Sequence, residues 1–309
     1  MKMKKIALSF YLFFFFLTGS IATAQVVGIQ EIGKYQSGDV LEDNEHWVEV
    51  IKGDMPLVLS VPHGGRFKDE QIPDRDCPEL GRVVKGIDMN TKELALAMQE
   101  YFYAHYKKRP YVVIANLSRS KVDQNRAIEL ATCNDPIGTK AWNSYHSAVT
   151  AVIADAKQYG KIFFVDVHGH GHKVQRLELG YGLTTKQLTL AYNRKNTVKM
   201  PPTSSLENYL TQGGKRDFYD MLFGEYAFGT LLEKNGVRAT PSLQDPYPQE
   251  GEAFFAGGHI TRKFTAADFP DVFGMQIEFN FKGMRDTDAN RQKFAAVFAK
   301  TYWEFIQHI

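Results

Sequence analysis

Three apolar runs in this sequence each lead directly into a short group of polar, chemically reactive residues. The runs cover 57–61, 162–165 and 273–277, and the residues that follow them are His63, Asp166 with His168, and Glu278. A continuous apolar run of this length is typical of a strand that is buried on both faces of a sheet. Because the carboxyl ends of parallel strands meet at one edge of an open α/β sheet, we expect these side chains to share one site.

The rest of the pattern alternates strand-like and helix-like segments. We predict a strand at 111–115 and a helix that begins at a capping-box-like pair, Asn90 and Glu93, and ends at Tyr106. Further helices are predicted around 142–156, from Asp217 to Asn235, and from Asp288 to Gln307. Such alternation predicts an α/β protein, with a mostly parallel mixed central sheet in a three-layer α/β/α arrangement. We find no linker or repeat that divides residues 25–309, so we expect a single domain.

The amino terminus has the pattern of an export signal. Three early lysines precede an apolar stretch from Ile6 to Leu17, and the small residues Ala22-Thr23-Ala24 precede Gln25. The apolar stretch is short for a membrane span, which disfavours an uncleaved anchor. We therefore predict a signal peptide over residues 1–24 and a mature protein that is periplasmic or extracellular, with no stable membrane insertion after cleavage.

The charge balance argues against a nucleic-acid partner. The chain has 37 Lys and Arg against 35 Asp and Glu, and loss of the three signal lysines leaves 34 against 35, a formal charge of −1. Nucleic-acid binding proteins usually concentrate basic residues on one face. Cys77 and Cys133 are the only cysteines. An oxidising compartment would allow them to form a disulfide, and two buried free thiols are equally consistent with the sequence. The sequence defines no oligomeric state.

Two histidines are candidate metal ligands. The small residues after His63, in Pro62-His63-Gly64-Gly65, leave room for a metal and a substrate, although a lone histidine here could also be structural. Asp166 and His168 lie on the same side of an extended strand, so Asp166 could orient the imidazole.

The histidines that follow His168 have a different expected position. His170 and His172 share the parity of His168 if the strand continues. Gly169 and Gly171 instead predict that the chain turns, which places both histidines near the mouth of the pocket.

A third ligand is needed, because a catalytic zinc usually has three protein ligands and one open position. We choose Asp88, which lies just before the predicted helix that begins near Asn90. Its alternative role is to favour the start of that helix. Asp69 and Glu70 remain alternative ligands.

Glu278 is the candidate catalytic carboxylate. A carboxylate at the end of an apolar strand is costly unless it has a partner or a chemical role. Beside a metal site it could act as a general base. The alternative role is a buried ion pair with Arg285 or Arg126. Arg119 and Arg126 follow another strand, and their guanidinium groups could hold an acidic substrate or stabilise an oxyanion, unless one pairs with Asp123.

Taken together in their order, these motifs resemble the N-formylglutamate amidohydrolase family. The resembling segments are Pro62-His63-Gly64-Gly65, the Asp88 segment, Arg119 with Asp123-Gln124-Asn125-Arg126, Asp166-Val167-His168-Gly169, Leu179-Gly180, Gly257-Gly258-His259-Ile260-Thr261-Arg262, and Gln276-Ile277-Glu278 with Arg285. The resemblance implies a carboxypeptidase-like α/β/α fold and a zinc-dependent hydrolase acting on an amide bond. We expect one zinc per chain.

The resemblance also implies site residues. It supports His63 and His168 as metal ligands and Glu278 as the catalytic carboxylate. We expect Asp88 to be the third ligand, and Arg119 and Arg126 to assist catalysis by stabilising the oxyanion. The substrate-binding residues that we expect are Arg126, Arg262, Arg285, Gly257 and Gly258.

The export signal bears on the substrate. The best known activity of the family belongs to intracellular histidine breakdown, whereas this chain has a predicted signal peptide. We therefore expect a small acidic amide or peptide substrate: an N-acyl amino acid, a peptide or a wall fragment with a carboxylate. The alternative is an exported metal-containing binding protein without turnover, which the intact Glu278 disfavours. A serine hydrolase is disfavoured because the sequence has no Gly-x-Ser-x-Gly elbow.

Overall fold

The computed structural model describes residues 25–26, 28–194 and 204–309. The predicted signal peptide, residues 1–24, lies outside the described residues, so its cleavage stays a prediction. Among the described residues, no helix combines the length and the apolar character that a membrane span requires.

One mixed sheet of nine strands forms the centre of the described structure. The strands are β1 (Gln25–Val26), β2 (Val40–Glu42), β3 (Val48–Ile51), β4 (Leu57–Val61), β5 (Tyr111–Ala115), β6 (Ile162–His170), β7 (Leu177–Gly180), β8 (Ala239–Thr240) and β9 (Val272–Asn280). Their spatial order is β1-β2-β3-β5-β4-β6-β9-β7-β8. The β2–β3, β3–β5 and β7–β9 pairs are antiparallel, and the other five pairs are parallel.

Helices cover the sheet on both faces. The α-helices are α1 (Thr91–Tyr106), α2 (Ile128–Thr132), α3 (Pro136–Ala156), α4 (Thr185–Asn193), α5 (Glu207–Thr211), α6 (Phe218–Phe223), α7 (Phe228–Lys234), α8 (His259–Phe264) and α9 (Asp288–Gln307), with shorter helical turns at Ile29–Lys34, Lys157–Tyr159 and Phe281–Arg285. Helices α1, α7 and α9 pack into one apolar core, and α3 and α8 pack into the other. The predicted three-layer α/β/α class with a mostly parallel mixed sheet is confirmed.

Four central strands place the candidate residues. β5, β4, β6 and β9 are adjacent and parallel, so their carboxyl ends open on the same edge of the sheet. His168 on β6 is the register partner of Glu278 on β9, and His63 lies two residues after β4. The sheet topology therefore brings together residues that are separated by more than a hundred positions in the sequence.

Three local expectations were wrong. Asn90 does not cap α1 with its side chain, because it adopts a left-handed conformation and donates a hydrogen bond to the carbonyl oxygen of Arg285 at 2.9 Å. The predicted helix from Asp217 to Asn235 is two helices, α6 and α7, because Gly224 is extended and ends the first. Strand β6 continues through Gly169 to His170, so the chain turns later than the glycines indicated.

The two cysteines form a disulfide. Cys77 and Cys133 have Cα atoms 5.6 Å apart, and the bond links positions 56 residues apart in the sequence. It joins the loop before α1 to the end of α2. A disulfide fits the oxidising compartment that the predicted signal peptide implies.

Candidate active site

His63, Asp88 and His168 form a compact, buried group at the carboxyl edge of the sheet. One potential ligand atom from each lies within 4.8 Å of the others. The Asp88 Oδ2 atom is 3.4 Å from Nδ1 of His63 and 3.2 Å from Nδ1 of His168. Two imidazole nitrogens and a carboxylate oxygen thus converge, which is the set of three protein ligands that a catalytic zinc uses.

Each histidine is held from behind by a second carboxylate. Asp123 lies 2.7 Å from Nε2 of His63, and Asp166 lies 3.1 Å from Nε2 of His168. Metal-bound histidines commonly have such carboxylate partners, which fix the ring and its tautomer. The Nδ1 atom of His63 is buried and has no hydrogen-bond partner in the part of the chain that the structure describes. A metal ion would satisfy this atom, so these residues fit a metal site.

The alternative third ligands lie elsewhere. The carboxylate of Asp69 accepts hydrogen bonds from the indole of Trp47 at 2.8 Å and from the backbone of Gln71 at 2.9 Å. Glu70 is exposed. Of the three acidic candidates, the structure places Asp88 alone beside the two histidines.

The electrostatics of the group favour negative carboxylates and a bound positive charge. Burial raises the pKa of Asp88, but attraction to His63 and His168 outweighs it and holds that pKa below its ordinary value. Asp166 raises the pKa of His168 well above its ordinary value, against the effect of burial. The paired carboxylates thus create a site with a strong preference for a cation.

Glu278 faces the same cavity and has an unusual environment. Burial raises its pKa to about 8; the positive charge of His168 opposes this rise, and the negative charge of Asp88 adds to it. Gln276 donates a hydrogen bond from Nε2 to Glu278 Oε1 at 2.9 Å. Among the described residues, no lysine or arginine forms an ion pair with Glu278. The described structure therefore does not contain the alternative, a buried ion pair between Glu278 and Arg285 or Arg126.

The arginines have different surroundings. Arg119 Nε donates to Asp123 at 2.9 Å, and its Nη1 is 3.8 Å from Asp88, so its charge is shared with the carboxylates of the site. Arg126 also lines the cavity. Its guanidinium donates to the carbonyl oxygen of Asn125 at 3.3 Å and has no carboxylate partner among the described residues. Arg126 is therefore the guanidinium that is free to bind an acidic group.

Two arginines that we expected to bind substrate do not line the cavity. Arg285 is buried, and its guanidinium donates hydrogen bonds to the backbone carbonyl groups of Phe279, Met89 and His170. These hydrogen bonds connect the end of β9 to the neighbouring segments of the chain. Arg262 is exposed on α8. Neither arginine is among the described residues that line the cavity.

The loop before α8 forms one wall of the cavity. Gly257 and Gly258 line it, as does Phe255. A Cβ atom at Gly258 would lie 2.2 Å from the side-chain nitrogen of Asn125, so a larger residue would displace this wall. The cavity has a volume of about 150 Å³ and brings the wall, the arginines, the metal-ligand group and Glu278 together.

Sequence reasoning missed three polar residues at the site. We considered Asp123 only as a partner for an arginine, yet it holds His63. Asn125 lies 3.2 Å from Nε2 of His168 and 3.4 Å from Gln276, which itself bonds Glu278. The motifs Asp123-Gln124-Asn125-Arg126 and Gln276-Ile277-Glu278 are visible in the sequence, but neither motif shows which site residues its side chains contact.

We predict that Asp166→Asn weakens metal binding by about 10- to 100-fold, because the amide cannot hold His168 as a carboxylate does. The control is Asp69→Asn, which changes a buried carboxylate outside the ligand group and should leave the affinity unchanged. Competition for zinc against a chromophoric chelator measures both. An unchanged affinity in Asp166→Asn would contradict the role of Asp166.

The solved structures that match this chain include the following two. The crystal structure of N-formylglutamate amidohydrolase from Ralstonia eutropha JMP134 has a TM-score of 0.49 and 14% identity, and the match covers 83% of this chain and 96% of that one. A gene product from Agrobacterium tumefaciens has a TM-score of 0.48 and 15% identity, with 84% and 93% of the two chains covered.

No protein-family model and no curated protein matches this chain. At 14% and 15% identity the likeness to the two solved structures concerns the fold. We therefore base the functional conclusion on the residues of the site.

Proposed function

We propose that this protein is an exported zinc-dependent hydrolase that cleaves an amide bond in a substrate bearing a carboxylate. The observation that carries the proposal is the joint position of two elements in one cavity. One is a ligand group of His63, Asp88 and His168, and the other is Glu278, a buried carboxyl group that forms no ion pair with a lysine or arginine among the described residues. Carboxyl groups with strongly raised pKa values occur preferentially where proton transfer is needed.

His63, Asp88 and His168 would hold the metal ion. The chemistry that such an ion supplies is that of a Lewis acid, which polarises a carbonyl group and lowers the pKa of water. Asp123 and Asp166 orient the two imidazoles for this task, because each occupies the Nε2 atom and leaves Nδ1 directed at Asp88.

Glu278 would act as the proton carrier. It takes a proton from the attacking water as the oxygen bonds to the amide carbon, and it returns that proton to the nitrogen as the carbon–nitrogen bond breaks. A nearby cation lowers the pKa of a carboxyl group. The pKa of about 8 at Glu278 would therefore move towards neutral, where the group can both accept and return a proton.

The arginines would divide the remaining tasks. Arg119 lies beside Asp88 and Asp123, so its guanidinium is held next to the metal-ligand group, where it would stabilise the oxyanion. Arg126, which has no carboxylate partner among the residues described, would bind the carboxylate of the substrate. The expected substrates are N-acyl amino acids, peptides or wall fragments.

A chelation assay tests the proposal. We expect the mature protein, residues 25–309, to hydrolyse at least one member of a panel of N-acyl amino acids and short peptides. Treatment with a chelator should abolish the activity, and added zinc should restore it. Equal rates with and without the chelator would contradict metal dependence. A zinc-loaded protein that binds panel members but hydrolyses none would instead be a binding protein.

The role of Arg126 has its own test. We predict that Arg126→Lys lowers kcat/KM for acidic substrates by about 10-fold or more and has little effect on neutral ones, since lysine cannot reproduce a bidentate guanidinium contact. Arg82→Lys, at an exposed position, is the matched control. Steady-state kinetics on paired acidic and neutral amides provide the measurement. Equal losses on both substrate classes would assign Arg126 to the oxyanion instead.

A further inference from the structure

A second cavity lies directly beyond one wall of the candidate active site. It has a volume of about 790 Å³. Its lining comes from the turn after β6, from the loop before Phe255, and from Arg238, which directly precedes β8. The mechanism described above uses none of these residues.

A stacked pair of rings separates the two cavities. Phe255 lines the first cavity, His172 lines the second, and their ring centroids are 4.6 Å apart with planes inclined by 26°. Phe255 is 45% exposed, which is high for a phenylalanine at the border of a pocket. An exposed, fixed aromatic ring at this place offers a stacking surface to a substrate that passes from one cavity to the other.

A buried carboxylate fixes this pair. Glu178 is fully buried and accepts a hydrogen bond from Nδ1 of His172 at 2.7 Å and one from the backbone amide of Phe255 at 2.8 Å. One side chain therefore ties the turn after β6 to the loop that carries Phe255. Because Nδ1 of His172 is engaged, its Nε2 remains to bond a ligand at the rim of the second cavity.

The sizes of the two cavities indicate a substrate that needs both. The first cavity, at about 150 Å³, is smaller than the roughly 300–1,000 Å³ of most small-molecule sites. It suffices for the scissile amide and the group bound by Arg126. The second cavity, beyond Phe255 and His172, offers space for the remainder of a larger substrate.

The charged residues of the second cavity indicate which kind of substrate chain it can bind. Arg238 and Glu252 are already paired, with Asp245 and Arg176 respectively. Lys173 and Glu250 have no ion-pair partner among the described residues and are exposed. One free cation and one free anion at the cavity can pair with the charged or polar groups of a peptide chain, which a fatty acyl chain lacks.

We propose that the second cavity binds the acyl half of the substrate as a peptide segment, so that the enzyme prefers peptidyl to small N-acyl substrates. This inference rests on the proposed function, because Arg126 holds the carboxylate of the leaving half in the first cavity. The substrate chain then runs from Arg126 past the metal-ligand group and over the ring of Phe255.

A substrate series tests the inference. The probes are acetyl-glutamate, acetyl-alanyl-alanyl-glutamate and lauroyl-glutamate, assayed with the zinc-loaded mature protein. We expect kcat/KM to be about 10-fold or more higher for the peptidyl probe than for the acetyl probe, with no such gain for the lauroyl probe. Phe255→Ala and His172→Ala should each remove most of the gain.

Phe67→Ala is the matched control, since Phe67 is 44% exposed and lines a different cavity. It should retain the full gain. Melting temperatures establish that the variants fold, and if Phe255→Ala does not fold, His172→Ala decides.

Each contrary outcome has a separate meaning. Equal kcat/KM for the acetyl and peptidyl probes, or a gain that survives in both variants, would overturn the second site and leave the amidohydrolase intact. A gain confined to the lauroyl probe would overturn the peptide assignment. Absence of hydrolysis with all three probes and with the wider panel would overturn the proposed function together with this inference.

Discussion

The Glu278→Gln protein is expected to fold and bind zinc like the wild type while its turnover falls by roughly two to four orders of magnitude. Glutamine keeps the volume of the side chain and can still accept a hydrogen bond from Gln276, but it cannot take a proton from water. The structure gives Glu278 no lysine or arginine partner among the described residues, so the substitution leaves no buried cation unpaired. Breaking a buried ion pair costs about 3–5 kcal/mol of stability. We expect no such loss in Glu278→Gln.

Glu233→Gln supplies the matched control. Burial also raises the pKa of Glu233, but this side chain lies on α7, away from the cavity. The control should keep wild-type turnover. Single-turnover kinetics, zinc content and thermal melting of the two variants separate the roles. A Glu278→Gln protein that binds zinc, melts like the wild type and hydrolyses substrate at the normal rate would refute the mechanism.

His63→Ala and His168→Ala should each remove most of the bound zinc, of which we expect about one ion per chain in the wild type. Each substitution removes one of three converging ligand atoms and also leaves a carboxylate, Asp123 or Asp166, without its imidazole partner. Metal analysis of the purified proteins gives the result directly. Added zinc should raise the melting temperature of the metal-free wild type and should have little effect on either variant.

His105→Ala controls for the loss of a histidine as such, because His105 is exposed on α1. It should keep the full zinc content. Full occupancy in His63→Ala or His168→Ala would show that the metal binds elsewhere. The group of His170, His172 and Glu178 would then be the next candidate, although both ring nitrogens of His170 already have backbone partners.

The sequence by itself determined where the four central strands and the three longest helices lie, and which of these strands end in reactive groups. The spans of β5, α1 and α9 follow from local periodicity and residue type, which short-range interactions enforce. The position of His63, His168 and Glu278 at one edge also follows, because parallel strands under helical cover share the direction of their carboxyl ends. Asp166 could be paired with His168 because the two are neighbours on one strand.

Only the tertiary structure decided which partners meet across long sequence separations. Asp123 holds His63 from 60 positions away, and Arg285 binds backbone carbonyl groups although its motif indicated a substrate contact. The choice of Asp88 over Asp69 and the pairing of Cys77 with Cys133 belong to the same class. Local patterns fix the conformation of a segment, whereas contacts of this kind depend on how loops pack after the sheet has assembled. A carboxylate or a guanidinium can also bond equally well to several partners, so its residue type does not select one of them.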